Sequence, residues 1–184
     1  MKTPDFLTRY YTPNENPFVS LNDYPLEQAN AIKLEHCKRN NIGGYYAQDE
    51  YLPHRRKIEK WIHAQLIQKG GNPKNYIPVY MTLGESPTSE YDIRIDIQRG
   101  AHELRIPITN LDLNAVTFTY PDSMYKFIYD NNGDKISSEM TETPTVYLYN
   151  ELEYIIERYK VYDIYEHYIE AQVWDREMLN KFLH

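Results

Sequence analysis

Two runs of alternating residues near the middle of the chain restrict its fold more than any other feature. Tyr91, Ile93, Ile95 and Ile97 alternate with Asp92, Arg94, Asp96 and Gln98; Leu104, Ile106 and Ile108 alternate with Glu103, Arg105 and Pro107. A period of two is the repeat of a strand whose two faces meet different surroundings. Folding the chain between Gly100 and Ala101 sets Ile97 against Leu104, Ile95 against Ile106 and Ile93 against Ile108, with Asp96 against Arg105 on the other face. One register serves both faces, and that specifies an antiparallel hairpin. Pro107 withdraws a backbone donor and points to an edge strand.

Other segments extend the pattern. Residues 76–83 read as a strand with Pro78 near its start. Val116, Phe118 and Tyr120 alternate with Thr117 and Thr119, residues 168–174 give a last strand, and residues 18–21 a short early one. Asp130-Asn131-Asn132-Gly133 offers turn chemistry for a further hairpin. Pro25 opens a helix running to about Arg39, with Leu26, Ala29, Ile32, His36 and Cys37 on one stripe, and residues 40–44 stop it. Pro53 opens a second helix, in which Ile58, Trp61, Ile62, Gln65 and Leu66 follow helical spacing before Gly70-Gly71. Asn150 with Glu153 forms a capping box ahead of Leu152, Ile155, Ile156 and Tyr159. Asp175 caps a short helix carrying Met178, Leu179 and Phe182. Residues 1–17 hold three prolines and read as an extended arm. Residues 18–184 read as a single α+β domain: a central, mostly antiparallel sheet with N-terminal helices and a C-terminal helix–strand–helix.

A chain of 184 residues is long enough to bury a full core as one domain. Its aromatic content is unusual. Nineteen tyrosines stand against five Phe and two Trp, so large rings bring hydroxyls that need partners. This favours either a polar-rimmed core or a cleft lined with phenols. The net charge of −7 disfavours general nucleic-acid or anionic-membrane binding. His54-Arg55-Arg56-Lys57 is the densest basic run and reads as the solvated first turns of a helix. Cys37 is the one cysteine, which suits a reducing cytoplasm and reads as a buried structural thiol. Residues 1–11 lack a signal-peptide core, and no apolar stretch is long enough to span a bilayer.

No phosphate-binding glycine loop, dinucleotide fingerprint, zinc-protease motif or nucleophile elbow is present. His54 and His63 are nine apart, which does not place two ligands on one helical face, so no metal is expected. Three polar clusters lie at strand ends instead: Leu83-Gly84-Glu85-Ser86-Pro87, Thr119-Tyr120-Pro121-Asp122-Ser123 and residues 168–174. Turn chemistry accounts for the first two as well as function does. In the third, Tyr168, Glu170, Gln172 and Trp174 share one strand face. That face is either a ligand platform or a solvated surface with Glu170 paired to a basic neighbour.

The phrases LGESP at 83–87, VTFTYPDSM at 116–124 and YIEAQVW at 168–174, with KGGNP at 69–73, resemble a family of uncharacterised bacterial proteins from about Phe18 onward. The likeness implies a shared fold. FVSLNDYPLEQANAI at 18–32 and YIEAQVWDREML at 168–179 resemble, more faintly, DarT-type DNA ADP-ribosyltransferases. That likeness implies NAD as cofactor with Glu170 orienting the ribose; in an NAD-using reading Tyr120 or Trp174 would stack on the nicotinamide and Arg94 or Arg105 would meet the pyrophosphate. The early segment lacks the histidine of that family, and Glu170-Ala171-Gln172 departs from the Gln-x-Glu motif of other ADP-ribosyltransferases.

Three functional expectations follow. The first is binding of a small molecule or a protein partner, without a cofactor, through a tyrosine-lined cleft at the strand ends. Tyr120, Ser123, Tyr168, Gln172, Trp174, Arg94 and Arg105 would be its contacts, and a homodimer is an added expectation. The second is NAD-using transfer with Glu170 as the key carboxylate. The third is hydrolysis by a carboxylate pair, Glu85 with Asp122 or Glu170.

Overall fold

The computed structural model describes residues 3–86, 102–125, 144–164 and 167–183. Its five described strands are β1 (Phe6–Tyr11), β2 (Val79–Leu83), β3 (His102–Pro107), β4 (Val116–Thr119) and β5 (Glu170–Val173). They form one sheet in the order β3-β1-β2-β5-β4, with every pairing antiparallel. The described helices are α1 (Leu26–Asn40), α2 (Tyr51–Gln68), α3 (Leu152–Tyr159), α4 (Val161–Ile164) and α5 (Glu177–Asn180). The α+β class, the antiparallel sheet and the C-terminal helix–strand–helix all match the sequence pattern. Among the described residues no helix is long and apolar enough to cross a membrane.

The first departure concerns the N-terminal arm. Phe6–Tyr11 is a strand inside the sheet, hydrogen-bonded to β3 on one side and β2 on the other. Leu7 lies opposite both Leu83 and Ile106, and all three are fully buried. Pro4 and Pro13 flank this strand without interrupting it, so residues 6–11 keep every ladder donor. Gly84 secures the junction with β2. Its φ is +72°, which favours glycine, and a Cβ there would crowd the Pro4 ring at 3.0 Å. The Gly84 carbonyl accepts the Thr8 hydroxyl at 2.7 Å and the Thr82 hydroxyl at 3.0 Å.

Other expectations move in detail. Residues 18–21 are not a strand, because Leu21–Asp23 is a 3-10 turn closed by Ser20 and Asp23. Asn22 N–H donates to Ser20 Oγ at 3.3 Å, and Ser20 N–H donates to Asp23 Oδ2 at 2.6 Å. The β3 strand forms as expected, but 91–98, the other half of the expected hairpin, lies outside the described residues. So does the turn at 130–133. Arg105 pairs with Glu85 at 2.7 Å and Glu103 at 3.0 Å on an exposed surface. The capping carboxylate before α3 is Glu151, which accepts Leu148 N–H at 2.7 Å. Asp175 caps α5 as expected, accepting from Glu177 N–H at 3.0 Å and Met178 N–H at 3.3 Å.

Strand alternation divides the sheet into two faces of different chemistry. Val79, Met81, Leu83, Val116, Phe118, Ala171 and Val173 join Leu152, Ile155 and Ile156 of α3 in one apolar cluster. The opposite face carries Thr117, Thr119, Glu170, Gln172 and Trp174, and these are also buried. Helix α2 covers that face. Its inner stripe is Leu52, Arg55, Ile58, Glu59, Ile62 and Leu66, and Ile58, Ile62 and Leu66 pack with Trp174, Met124 and Val146. Arg55 therefore departs from the solvated-turn expectation. It stands three residues after Leu52 and four before Glu59, which puts it on the inward face. In α1 the buried positions are Ala29, Lys33 and Cys37, while Leu26 is exposed. The Lys33 ammonium donates to the Gln48 carbonyl.

Candidate functional site

A polar layer fills the space between α2 and the sheet. Its centre is the Arg55 guanidinium. Nη2 donates to Glu170 Oε1 at 3.3 Å, and Nη1 donates to Ser123 Oγ at 3.1 Å. The Tyr80 ring lies against its plane, with 3.6 Å from the guanidinium carbon to the ring centroid. The second Glu170 oxygen accepts Ser123 N–H and the Gln172 amide, each at 3.0 Å. Gln172 in turn donates to Thr119 Oγ1 at 3.1 Å and accepts from Thr117 Oγ1 at 2.9 Å, and Trp174 Nε1 donates to Thr117 Oγ1 at 2.8 Å. Such a network is tolerable in a dry interior because its members satisfy one another.

Electrostatics follow from this enclosure. Burial works against the Arg55 charge, but the Tyr80 ring against its plane and the Glu170 and Glu59 carboxylates more than restore it. Burial pushes the Tyr80 phenol well up, so it stays protonated and donates to Glu59 Oε1 at 3.0 Å. Burial, with Asp122 and Glu170 nearby, does the same to Tyr168. The Glu59 carboxyl is also raised, mainly by burial, although Arg55 and bonds from Asn22 and Tyr80 oppose the shift.

The Glu59 shift gives a test. The folded state holds a proton here that the unfolded chain releases, so this group's contribution is largest below the ordinary glutamate value. It falls as pH rises through the window up to the raised value. Glu59→Gln is expected to flatten that part of the stability profile, read as urea midpoints between about pH 4 and pH 8. An unchanged slope would assign the dependence to other groups.

Beside the layer lies a cavity of about 580 Å³. Its walls come from the end of β1 (Arg9, Tyr10, Tyr11), the start of β2 (Val79, Tyr80), α1 (Ile32, Glu35, His36, Arg39), α2 (Tyr51, Leu52, Arg55), Tyr46 and residues of the 12–24 segment. Six of its lining residues are tyrosines: 10, 11, 24, 46, 51 and 80. Tyr46 and Tyr51 meet edge to face with centroids 4.8 Å apart, and His36 meets Tyr46 the same way at 6.1 Å.

The residues expected from sequence fall in other places. Glu170, Ser123 and Gln172 come together in the polar layer, but they do not line this cavity. Trp174 is fully buried against Ile62 and Leu66, and Tyr168 is partly buried. Tyr120 packs with Tyr159 and His167 beyond β4. Asp122 accepts Met124 N–H at 2.9 Å in the following turn. Glu85 and Arg105 pair at the surface, and Arg94 lies outside the described residues. Glu85, Asp122 and Glu170 are thus each engaged by different partners.

Sequence reasoning passed over Arg9, Arg55 and the six cavity tyrosines. One signal was available: Leu52, Arg55, Glu59 and Ile62 share helical spacing, which sets two charges within an apolar stripe. The cavity left none, because its walls are assembled from five separate stretches of chain. Comparisons of the chain with protein-family models, with curated proteins and with solved structures gave no match.

Proposed function

We propose that the chain binds a small organic molecule in the tyrosine-walled cavity at the end of β1 and the start of β2. One observation carries this reading. A cavity of about 580 Å³ is edged by six phenol rings and by polar groups of Asn16, Asn22 and His36. Ligand sites are concave, largely apolar and provided with a few placed polar groups, and their volumes run from roughly 300 to 1,000 Å³. Phenols supply apolar area and a directional hydroxyl at small entropic cost. The tyrosine excess thus finds use in a cleft at strand ends, although at β1 and β2 and with rings other than Tyr120, Tyr168 and Trp174. The net charge of −7 supports a small-molecule ligand over nucleic acid, and the buried free Cys37 supports a cytoplasmic setting.

The transferase reading requires Glu170 in a concave pocket with an arginine in reach. Arg55 is in reach at 3.3 Å, but Glu170 is turned into the polar layer, where three donor groups occupy its oxygens. The geometry supports a positioning role, in which Glu170 fixes the Arg55 guanidinium at the cavity wall.

The test is a melting-temperature screen with nucleotides, sugars, aromatic acids and neutral aromatics, run on wild type and on Ile32→Trp, which narrows the cavity from α1. A ligand at about 100 times its Kd adds roughly 2.7 kcal/mol to native stability. Saturable shifts that disappear in Ile32→Trp are the expected result. Shifts of equal size in both proteins would place binding elsewhere.

A further inference from the structure

We infer that the ligand of this cavity carries an oxyanion, a carboxylate or a phosphate group, and that this group seats against Arg9 within the field of Arg55. The inference rests on the small-molecule reading above and narrows it to a chemical class. The two guanidiniums flank one residue. Arg55 stacks on the Tyr80 ring at 3.6 Å, and Arg9 Nη1 donates to the Tyr80 carbonyl at 2.9 Å. Arg9 Nε donates to the Pro17 carbonyl at 2.6 Å, and Nη2 has no hydrogen-bond partner among the described residues. Both arginines line the cavity.

Charge balance singles out Arg9. Its two neighbouring guanidiniums each have a carboxylate: Arg55 meets Glu170 at 3.3 Å, and Arg176 meets Asp23 at 2.8 Å. Arg9 has none within ion-pairing distance among the described residues, and its two bonds go to neutral carbonyls. Carbonyls satisfy N–H groups but leave a partly buried charge uncompensated, and such charges are ordinarily paired. Burial, with Arg55 and Arg176 nearby, pulls the Arg9 guanidinium down to about 10, and Glu15 offsets this only in part. The other acid on the cavity wall besides Glu15, Glu35, is paired with Arg39 at 3.3 Å. An oxyanion entering the cavity supplies the missing counter-charge, and a guanidinium fork fits carboxylate or phosphate oxygens better than any neutral group.

The experiment measures melting temperature against inorganic phosphate, benzoate and neutral benzamide at fixed ionic strength, with chloride as the balancing anion. Wild type, Arg9→Gln, Arg9→Lys and Ile32→Trp are compared. Phosphate and benzoate are expected to stabilise wild type saturably, with apparent affinity falling about tenfold or more in Arg9→Gln and less in Arg9→Lys. Benzoate is expected to bind more tightly than benzamide in wild type only. Phosphate alone acting would make an inorganic anion sufficient, whereas benzoate acting more strongly would show that ring and anion are read together. If benzamide binds wild type and Arg9→Gln equally and benzoate gains nothing, the anion site is overturned while the cavity reading stands. If no probe distinguishes wild type from Ile32→Trp, the cavity reading falls, and the anion site with it. Should Arg9→Gln fail to fold, phenylglyoxal labelling of wild type replaces it, mapped by mass spectrometry. Phosphate is then expected to protect Arg9 and leave the exposed Arg158 labelled, and equal Arg9 labelling with and without phosphate overturns the inference.

Discussion

Replacing Glu170 by alanine is expected to lower the stability of the fold by about 3–5 kcal/mol, the range seen when one member of a buried ion pair is removed. The loss comes mainly from what remains. Arg55 would keep its charge beneath α2 with its closest carboxylate gone, and Ser123 N–H and the Gln172 amide would each lose an acceptor. Glu59 offers little relief, since its Oε1 stands 3.9 Å from Arg55 Nε and already accepts from Tyr80. Arg55→Met is expected to cost a similar amount, because it strands Glu170 and Glu59 instead. The double variant Arg55→Met, Glu170→Leu is expected to recover much of either loss, since apolar pairs of similar volume commonly replace buried ion pairs without penalty. Urea unfolding of the three variants at neutral pH measures both. Single losses below about 1 kcal/mol, or a double variant equal to the sum of the singles, would mean that the pair is not coupled as its geometry indicates.

Deletion of residues 1–11 is expected to abolish cooperative unfolding altogether. The deletion removes β1, which bonds to β3 on one side and to β2 on the other, so β3 would lose its one strand partner among the described residues and β2 would keep only β5. The hydroxyls of Thr8 and Thr82 share the Gly84 carbonyl, and Tyr10 OH accepts Ser86 N–H at 2.9 Å, so the LGESP turn would loosen too. Leu7→Ala alone is expected to cost about 2–5 kcal/mol, because its site is enclosed by Leu83 and Ile106 and leaves a cavity. Calorimetry and tryptophan fluorescence on the truncated chain decide the matter. A sharp transition within a few degrees of that of the 184-residue chain would mean that residues 1–11 are not needed for the fold.

These two experiments address the points at which sequence and structure diverge most. Residues 1–17 looked like an arm because three prolines fall within them, and proline density is a property of the segment as a whole. The six residues between Pro4 and Pro13 that make the strand contain none, and only pairing with Leu83 and Ile106 reveals their place. Arg55 looked solvated because it stands in a run of four basic residues. Helical geometry sends Arg56 toward Asn22 and the Tyr24 carbonyl, while Arg55 turns to the sheet. Glu170 reads from sequence either as part of a ligand platform or as a carboxylate on a solvated surface paired to a basic neighbour, and the structure pairs it with Arg55 in the interior. Its burial was not foreseen.

The sequence alone determined the two-faced character of the sheet and the presence of the helices. Alternation at 79–83, 116–119 and 170–173 sorts side chains onto opposite faces whatever else the chain does, because successive Cβ atoms on a strand point opposite ways. Helical spacing in 52–66 and 152–156 marks the apolar stripes that must be covered. Alternation cannot say whether the polar face meets water or another element, since threonine, glutamine and glutamate suit a wet surface and a satisfied interior alike. Tertiary structure decided that when it brought α2 over Thr117, Thr119, Glu170 and Gln172 and supplied Arg55 from a position 115 residues away from Glu170. It decided the cavity for the same reason. Arg9, Tyr46, Arg55 and Tyr80 share a wall only because strand pairing and helix packing join distant segments, and no local pattern encodes that meeting.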